Sequence, residues 1–334
     1  MEDLLLELSA FARSCNEYLV HNTYRALGSL KGQWMRPESA FWWPYIGTIL
    51  LWGGLAFKKT YKGRGILNFL RFCFPKEIYF HRSTATDVQV YFMNLFFRVP
   101  TLLLSGFSAT VVAVALLGLD WNEAKEYPLG PWASIPFWVV WLLTAELGYY
   151  IAHRLYHQIP FFWEFHKVHH SAEVLTPITV LRKHPMFDMA TGISTAVVRG
   201  VIFAGLASAF SLEFSAAHVF GLNLYKGLFH FFGKHLRHTH IWWAWGPRIS
   251  HIFISPAQHQ IHHSYDPKHI NKNYGQILAL WDWVFGSLYV AGEKENLNFG
   301  LGEEHGMTNG VAAYLIPFRN IGRMATASFR RLTR

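Results

Sequence analysis

Five long apolar runs, separated by polar and charged stretches, dominate the pattern of the chain. They lie at residues 41–57, 101–119, 135–152, 192–210 and 214–232. Runs of this length predict helices that reach across most or all of a lipid bilayer. The sequence therefore predicts an all-α protein whose main body is a multi-pass transmembrane helical bundle.

The polar stretches between the runs indicate on which side of the membrane each stretch lies. Residues 58–90 carry seven lysines and arginines, which the positive-inside rule assigns to the cytoplasm. Residues 120–128 carry three acids and one lysine, and we place them on the opposite side. The third run returns the chain to the basic side, and the last two runs form a hairpin that leaves this side and comes back.

We divide the chain into four parts. Residues 1–40 predict an amphipathic helix that lies on the membrane or packs on the bundle, and 41–134 contain the first transmembrane helices and a basic cytosolic loop. Residues 135–290 hold the remaining runs and a mixed, aromatic region. Within that region, the apolar segment 276–290 predicts a helix packed on a cytosolic cap. Residues 291–334 form a basic tail, which we expect at the lipid surface.

The composition supports a membrane protein. Only 15% of the 334 residues are charged and 51% are hydrophobic, whereas about a quarter of the residues of a soluble domain are charged. The net charge of +9 fits cytoplasmic loops and anionic lipid headgroups better than nucleic acid, because the chain has no nucleic-acid motif. Its two cysteines, Cys15 and Cys73, are too few for a zinc ribbon or an iron-sulfur cluster.

Histidines carry the chemistry that the sequence makes visible. Of 19 histidines, 16 fall between residues 153 and 269. The clustered ones are His153 and His157, then His166, His169 and His170, and then, in the same triplet spacing, His259, His262 and His263. Histidines three and four apart share a helix face, and neutral imidazole binds iron, copper, zinc and nickel. We therefore predict that each set points in one direction and chelates metal, with more than one ion in total.

Three classes of metal protein compete for this pattern. A membrane zinc hydrolase needs three ligands and a base, for which Glu164 is the nearby candidate, but most of the histidines are then unexplained. A metal transporter with histidine-rich loops predicts ligands inside the spans and irregular spacing. Carboxylate-rich di-iron sites do not fit either, because the histidine sets contain almost no acids. A pair of irons held by imidazoles is the remaining fit.

Five sequence motifs together resemble those of a known protein family. The motifs are HRLYH (153–157), HKVHH (166–170) and HQIHH (259–263), together with NYG (273–275) and WDWVFG (281–286). In this order they resemble the fatty acid hydroxylase and sterol desaturase superfamily of integral-membrane di-iron oxygenases. The resemblance covers roughly residues 135–290.

The resemblance implies a membrane bundle topped by a cytosolic helical cap that holds two non-haem iron ions. It also implies that dioxygen and two external electrons are used to hydroxylate or desaturate a lipid such as a sterol or fatty acyl chain. The chain has no dinucleotide, haem or cysteine-cluster motif, so we expect a separate electron donor, namely a ferredoxin, cytochrome b5 or reductase. The bacterial inner membrane and the endoplasmic reticulum are both compatible with it.

The resemblance also implies further site residues. A histidine between the second and third motifs is expected to join the ligands, and the spacing to the last motif favours His238; His235, one turn earlier, is a candidate to join it as an additional ligand. His184, which precedes a proline, is a further candidate ligand. Asp282 is a candidate for accepting an imidazole N–H bond or for pairing with Arg154.

Overall fold

The computed structural model describes residues 43–60, 65–104, 134–210 and 234–332. In chain order the helices are α1 (Trp43–Thr60), α2 (Ile66–Cys73), α3 (Lys76–Tyr79), α4 (Arg82–Leu104), α5 (Ser134–Gln158), α6 (Pro160–His170), α7 (Pro185–Phe210), α8 (Pro247–Ser250), α9 (Pro256–His262), α10 (Leu280–Val284) and α11 (Gly310–Leu332). Two 3₁₀ helices, Pro177–Leu181 and Lys234–His238, precede and follow α7 along the chain. These ranges contain no β-strand, only one isolated bridge between Phe253 and Leu278. The predicted all-α class is confirmed.

Three of the five apolar runs coincide with described helices. Run 41–57 overlaps α1, 135–152 lies in α5 and 192–210 lies in α7. The predicted N-terminal helix at 1–40, the loop 120–128, the run 214–232 and most of 101–119 lie outside the described residues. Among the helices that the structure describes, none has both the length and the apolarity needed to cross a bilayer.

Helices α5 and α7 pack closely against each other. A Cβ atom on Gly148 would lie 2.6 Å from the Cα of Thr195, so only glycine permits this approach. The hydroxyl of Ser194 donates to the carbonyl of Gly148 at 3.1 Å. Farther along, the Arg199 guanidinium lies 3.6 Å from the ring centre of Trp141, which places this charge against protein within the otherwise apolar run 192–210. The packing of α7 fixes the position of α5, the helix that carries the first histidine motif.

The chain turns sharply between α5 and α6. Pro160 is the first residue of α6 and Ile159 before it is extended, because proline fits the first turn of a helix but disfavours a helical residue directly before it. Helix α6 therefore folds back beside the end of α5. Its buried face includes Phe165 and Val168 as well as all three of its histidines. The turn thus brings the second histidine motif beside the first.

Arg182, which directly follows the first 3₁₀ helix, ties several segments together although it is only 1% exposed. Its guanidinium donates to Asp87 Oδ1 at 3.0 Å, to Ser171 Oγ at 2.7 Å and to the Val168 carbonyl at 2.9 Å. Thr179 donates its hydroxyl to the other oxygen of Asp87. Burial raises the pKa of Asp87, and the Arg182 charge opposes this shift. The ion pair therefore joins α4 to the segment around the end of α6.

The C-terminal helix α11 packs on this assembly, while the expected position of the tail at the lipid surface stays a prediction. The Gly310 amide donates to Gln89 Oε1 at 2.8 Å, and Asn320 Nδ2 donates to Glu164 Oε2 at 2.9 Å. Ala313 joins a buried apolar cluster with Val90 of α4. The first half of α11 is thus part of the protein core, because it covers α4 and α6.

We expect Arg182→Met to lower the free energy of unfolding by about 3–5 kcal/mol, because it leaves the Asp87 carboxylate buried without its counter-charge. The melting temperature of the purified protein measures this effect. Lys183→Met is the matched control, since the neighbouring lysine lies 3.9 Å from a half-exposed aspartate and should change stability little. Equal melting temperatures for the two variants would contradict the role assigned to Arg182.

Candidate metal centre

The structure gathers the eight histidines of the three motifs, together with His238, into two adjoining groups. The five-histidine group consists of His153, His157, His166, His170 and His262, and the four-histidine group consists of His169, His238, His259 and His263. In each group the candidate ligand nitrogens all lie within 4.8 Å of one another. The groups touch, because the rings of His170 and His263 stack with their centres 4.5 Å apart. The arrangement offers two neighbouring sites.

Each histidine triplet is divided between the two groups, so the expectation that a triplet points in one direction is wrong. His166 and His170 join one group while His169 joins the other, and His259 and His263 are likewise separated from His262. The reason is helix geometry. The first and last histidines of a triplet are four residues apart and differ by about 40° around the helix axis. The middle histidine is three residues after the first and lies about 60° from it in the opposite direction. One triplet can therefore serve two ions.

Local sequence positions the third motif. Helix α9 begins with a capping box, in which Ser255 Oγ accepts the Gln258 amide at 3.2 Å and Gln258 Oε1 accepts the Ser255 amide at 2.9 Å. Pro256 occupies the first helical position. The Gln260 side chain donates to the carbonyls of Leu236 and Ile241. These bonds hold α9 against the 3₁₀ helix that carries His238.

The ring nitrogens make more close contacts with one another than hydrogen bonds between imidazoles can account for. His238 Nε2 lies 3.2 Å from His169 Nε2, 3.1 Å from His259 Nε2 and 3.1 Å from His263 Nε2, although one N–H can be directed to only one of them. In the other group, His166 Nε2 lies 2.9 Å from His153 Nε2 and 3.2 Å from His170 Nε2.

A metal ion would satisfy these nitrogens together. Two nitrogens bound to one ion at about 2.0–2.1 Å lie roughly 2.9–3.3 Å apart at ordinary coordination angles, which matches the separations in both groups. His157 is half-buried as a residue, but its Nε2 is buried, as is His262 Nε2, and within the described part of the chain neither atom has a hydrogen-bond partner. The residues therefore fit a pair of ions.

Backbone carbonyls fix the orientation of three rings. His153 Nδ1 lies 2.6 Å from the Tyr274 carbonyl, His262 Nδ1 lies 2.8 Å from the Lys272 carbonyl and His169 Nδ1 lies 3.2 Å from the Arg182 carbonyl. A carbonyl only accepts, so each Nδ1 carries the hydrogen in the neutral ring. The Nε2 lone pair of each ring is then directed into its group.

Burial also keeps the rings neutral. It lowers the pKa of His262 to about 4, with the Lys272 carbonyl opposing the shift. The pKa values of His153, His170 and His263 fall well below 6.5, first through burial and then through the neighbouring histidines. Neutral rings keep their lone pairs available to a metal at physiological pH.

Asp282 acts on the site through the backbone rather than through an imidazole. Its Oδ1 accepts the Tyr274 amide at 2.8 Å and its Oδ2 accepts the Gly275 amide at 2.7 Å. Arg154, the other partner that we considered, donates instead to the hydroxyl of Tyr150 at 3.0 Å. Asp282 thus holds the 272–275 loop, whose carbonyls orient His153 and His262.

The other candidates differ in their placement. His184 lies outside both groups, with its ring packed among Phe165, Tyr314 and Phe318. Burial there lowers the pKa of His184 to about 4. The side chain of His235 lies outside the described part of the structure. The carbonyls of Tyr274, Lys272 and Arg182 were missed by sequence analysis, because a backbone acceptor leaves no signature in residue type.

Several known proteins are similar to this chain in sequence. Residues 138–287 match the family model for fatty acid hydroxylases. The chain is 29% identical over 196 residues to an alkylglycerol monooxygenase from Caenorhabditis elegans, covering 58% of this chain and 35% of that protein. It is 29% identical over 194 residues to an ornithine lipid hydroxylase from Rhizobium tropici, covering 55% and 51%. It is 28% identical over 162 residues to a Delta(7)-sterol 5(6)-desaturase from Aspergillus fumigatus, covering 47% and 49%.

The matched region is only part of these relatives. The chain spans between about a third and about half of the length of the curated relatives it matches. No solved structure matches the chain significantly. The family match at residues 138–287 includes every histidine of the two groups.

We expect Gly275→Ala to weaken metal binding about 10–100-fold, the range typical of changes around metal ligands. A Cβ at this position would lie 2.2 Å from the Leu278 carbonyl oxygen and 2.9 Å from Asp282 Oδ2, so the loop must move away from His153 and His262. Titration of the metal-free protein with ferrous iron measures the affinity. Gly292→Ala is the control, because its Cβ would meet no atom within 4 Å. Unchanged affinity in Gly275→Ala would show that the loop does not orient the ligands.

Proposed function

We propose that residues 138–287, which match the family model for fatty acid hydroxylases, place the chain in the superfamily of fatty acid hydroxylases and sterol desaturases, and that the chain is an oxygen-dependent oxidoreductase that hydroxylates or desaturates a lipid. The observation that carries this proposal is the gathering of nine imidazoles into two adjoining groups. The named relatives act on alkylglycerol, ornithine lipid and sterol. These molecules share long or extended apolar parts, so we propose a lipid as the substrate.

We propose that the two groups hold two irons, one ion in each group. Imidazole ligands suit iron, and a redox-active pair supplies, with dioxygen and two external electrons, the oxidising power needed to remove hydrogen from an unactivated C–H bond. The nine ligands are His153, His157, His166, His170 and His262 for one ion and His169, His238, His259 and His263 for the other.

The surrounding residues have a defined part in this chemistry. The carbonyls of Tyr274, Lys272 and Arg182 accept the Nδ1 hydrogens of their histidines, which keeps the Nε2 lone pairs aimed at the ions. Asp282 holds the loop that supplies two of these carbonyls. Burial of the rings keeps water from competing for the ligand nitrogens.

The competing functions have less support. A zinc hydrolase would need a free carboxylate base, but Glu164 Oε1 lies 2.6 Å from Lys167 Nζ and its Oε2 accepts from Asn320. Neither histidine group contains a carboxylate in the described structure. A transporter would spread ligands along a path, whereas here nine histidines meet in one place.

We further propose that the protein is a multi-pass membrane protein with the histidine groups on its cytoplasmic side and a separate electron donor. Large apolar side chains are exposed along α1 and α7, among them Leu51 at 55% and Val201 at 52%. Exposed apolar side chains along long helices are typical of surfaces that face lipid. The basic segment 58–90 supports the cytoplasmic side.

We expect purified protein to contain two irons per chain and His169→Ala to lose most of its iron. The variant should form no lipid product, because His169 lies next to both His238 and His263 in one group and contacts His170 of the other. Elemental analysis measures the iron. Mass spectrometry of lipid extracts detects a gain of one oxygen or a loss of two hydrogens.

His184→Gln is the matched control for this experiment, since it replaces a buried imidazole that lies outside both groups, and it should keep iron and product. Full activity of His169→Ala, or one zinc and no iron in the native protein, would overturn the proposed function.

A further inference from the structure

An exposed apolar surface lies next to Asp282, the residue that holds the 272–275 loop. Six large side chains that are 44–59% exposed form this surface, which we call the apolar face: Ile249, Ile252, Phe253, Trp283, Val284 and Phe285. A contiguous apolar surface of this kind marks an interaction site in most proteins. It does not belong to the histidine groups described above.

Two separate segments form the apolar face, and hydrogen bonds hold them side by side. The Ile254 amide donates to the Ile277 carbonyl at 2.8 Å, and the Ala279 amide donates to the Ile252 carbonyl at 2.8 Å. The ring of His251 lies edge-on to that of Trp283, with centres 5.7 Å apart. The six side chains therefore form one surface rather than two.

In α10 the charged side chain is buried and the apolar side chains are exposed, which is the opposite of a helix surface that faces water. Asp282, the only acid or base in α10, is fully buried, whereas its neighbours Trp283 and Val284 are each 59% exposed. Asp282 turns inward to bind the amides of Tyr274 and Gly275. A short helix that hides its charge and exposes its apolar residues is suited to lipid, not to water.

The backbone of the same region is paired internally although most of it is not helical. The amides of Ile277 and Leu278 donate to Glu146 Oε2 at 2.7 Å and 3.0 Å. Glu146 belongs to α5 and is itself buried. Ile277 and Leu278 are themselves buried, and non-helical backbone is tolerated at membrane depth where it is buried in protein.

The attachment to α5 sets the depth of the apolar face. Trp281 Nε1 donates to the Leu143 carbonyl at 3.1 Å, and Phe285 stacks on Tyr150 with ring centres 5.3 Å apart. Leu143 precedes His153 by ten residues, or about 15 Å along a helix. These contacts extend along α5 from Leu143 to Tyr150, so the face lies beside the apolar run 135–152 that leads up to His153.

We propose that the apolar face lies in the hydrocarbon region of the bilayer, so that the segments 249–253 and 283–285 form a lipid-facing wall beside α5. The inference rests on the proposed membrane location of α5. It revises our expectation that 276–290 forms a helix on the cytosolic cap, since only Leu280–Val284 is helical and this helix packs on the middle of α5. A soluble protein partner is less favoured, because within 249–253 and 276–286 the only charged side chain is the buried Asp282, and the exposed Arg248 adjoins the face only at its edge, beside Ile249.

Spin labels at three single cysteines test this proposal. The native cysteines are replaced by serine, and Val284→Cys, Val139→Cys and Lys268→Cys are labelled one at a time in the full chain and reconstituted into phosphatidylcholine bilayers. Val139 is exposed on α5 and Lys268 is exposed beyond the face. Collision with oxygen, which partitions into lipid, is compared with collision with a charged nickel chelate, which stays in water.

We expect oxygen collisions to dominate at positions 284 and 139 and nickel collisions to dominate at 268. Nickel collisions at 284 together with oxygen collisions at 139 would overturn the proposed location of the apolar face while leaving the membrane location of α5 intact. Low collision with both reagents at 284 would also overturn it, because another protein surface would then cover the face. Nickel collisions at both 284 and 139 would contradict the membrane location on which the inference rests.

Discussion

The burial of neutral imidazoles around shared centres is the constraint on which the rest of the structure depends. His238 Nε2 alone faces three other ring nitrogens at 3.1–3.2 Å, and lone pairs at such distances repel one another unless a cation lies between them. The fold holds them there by other means, namely the buried pair of Arg182 and Asp87, the capping box of α9 and the close approach of α5 and α7. Much of the described structure therefore serves to hold in place a cluster that would otherwise disperse.

Sequence spacing predicted which histidines meet, and it did so for a physical reason. Ligands at three- and four-residue intervals share a helix side. The same interval occurs at His166 and again at His259, which predicts a second helix that also supplies ligands. His238 was found only through its distance from the last motif. The division of each triplet between two groups was not anticipated, because it depends on where the facing helices lie and not on the helix itself.

Contacts with the backbone were the least predictable part of the site. Asp282 was expected to touch an imidazole and instead binds two amides, and Arg182 carries no local pattern that marks it as buried. His184 resembles a ligand in sequence, yet it packs among aromatic rings outside both groups. In each case the deciding partner comes from a distant part of the chain, so no local pattern contains it. The apolar runs, in contrast, predicted the helical class because their length alone favours helices.

The use of main-chain oxygens to orient the ligand rings has a consequence for evolution and engineering. A carbonyl is present whatever side chain the residue carries, so a mutation at Lys272 changes the side chain but keeps the acceptor for His262. Only the path of the loop must be preserved, and Gly275 and Asp282 carry that requirement. The outer surface of the loop is thereby left open to sequence drift, and residues there can be varied to alter what approaches the site without disturbing how the histidine rings are oriented.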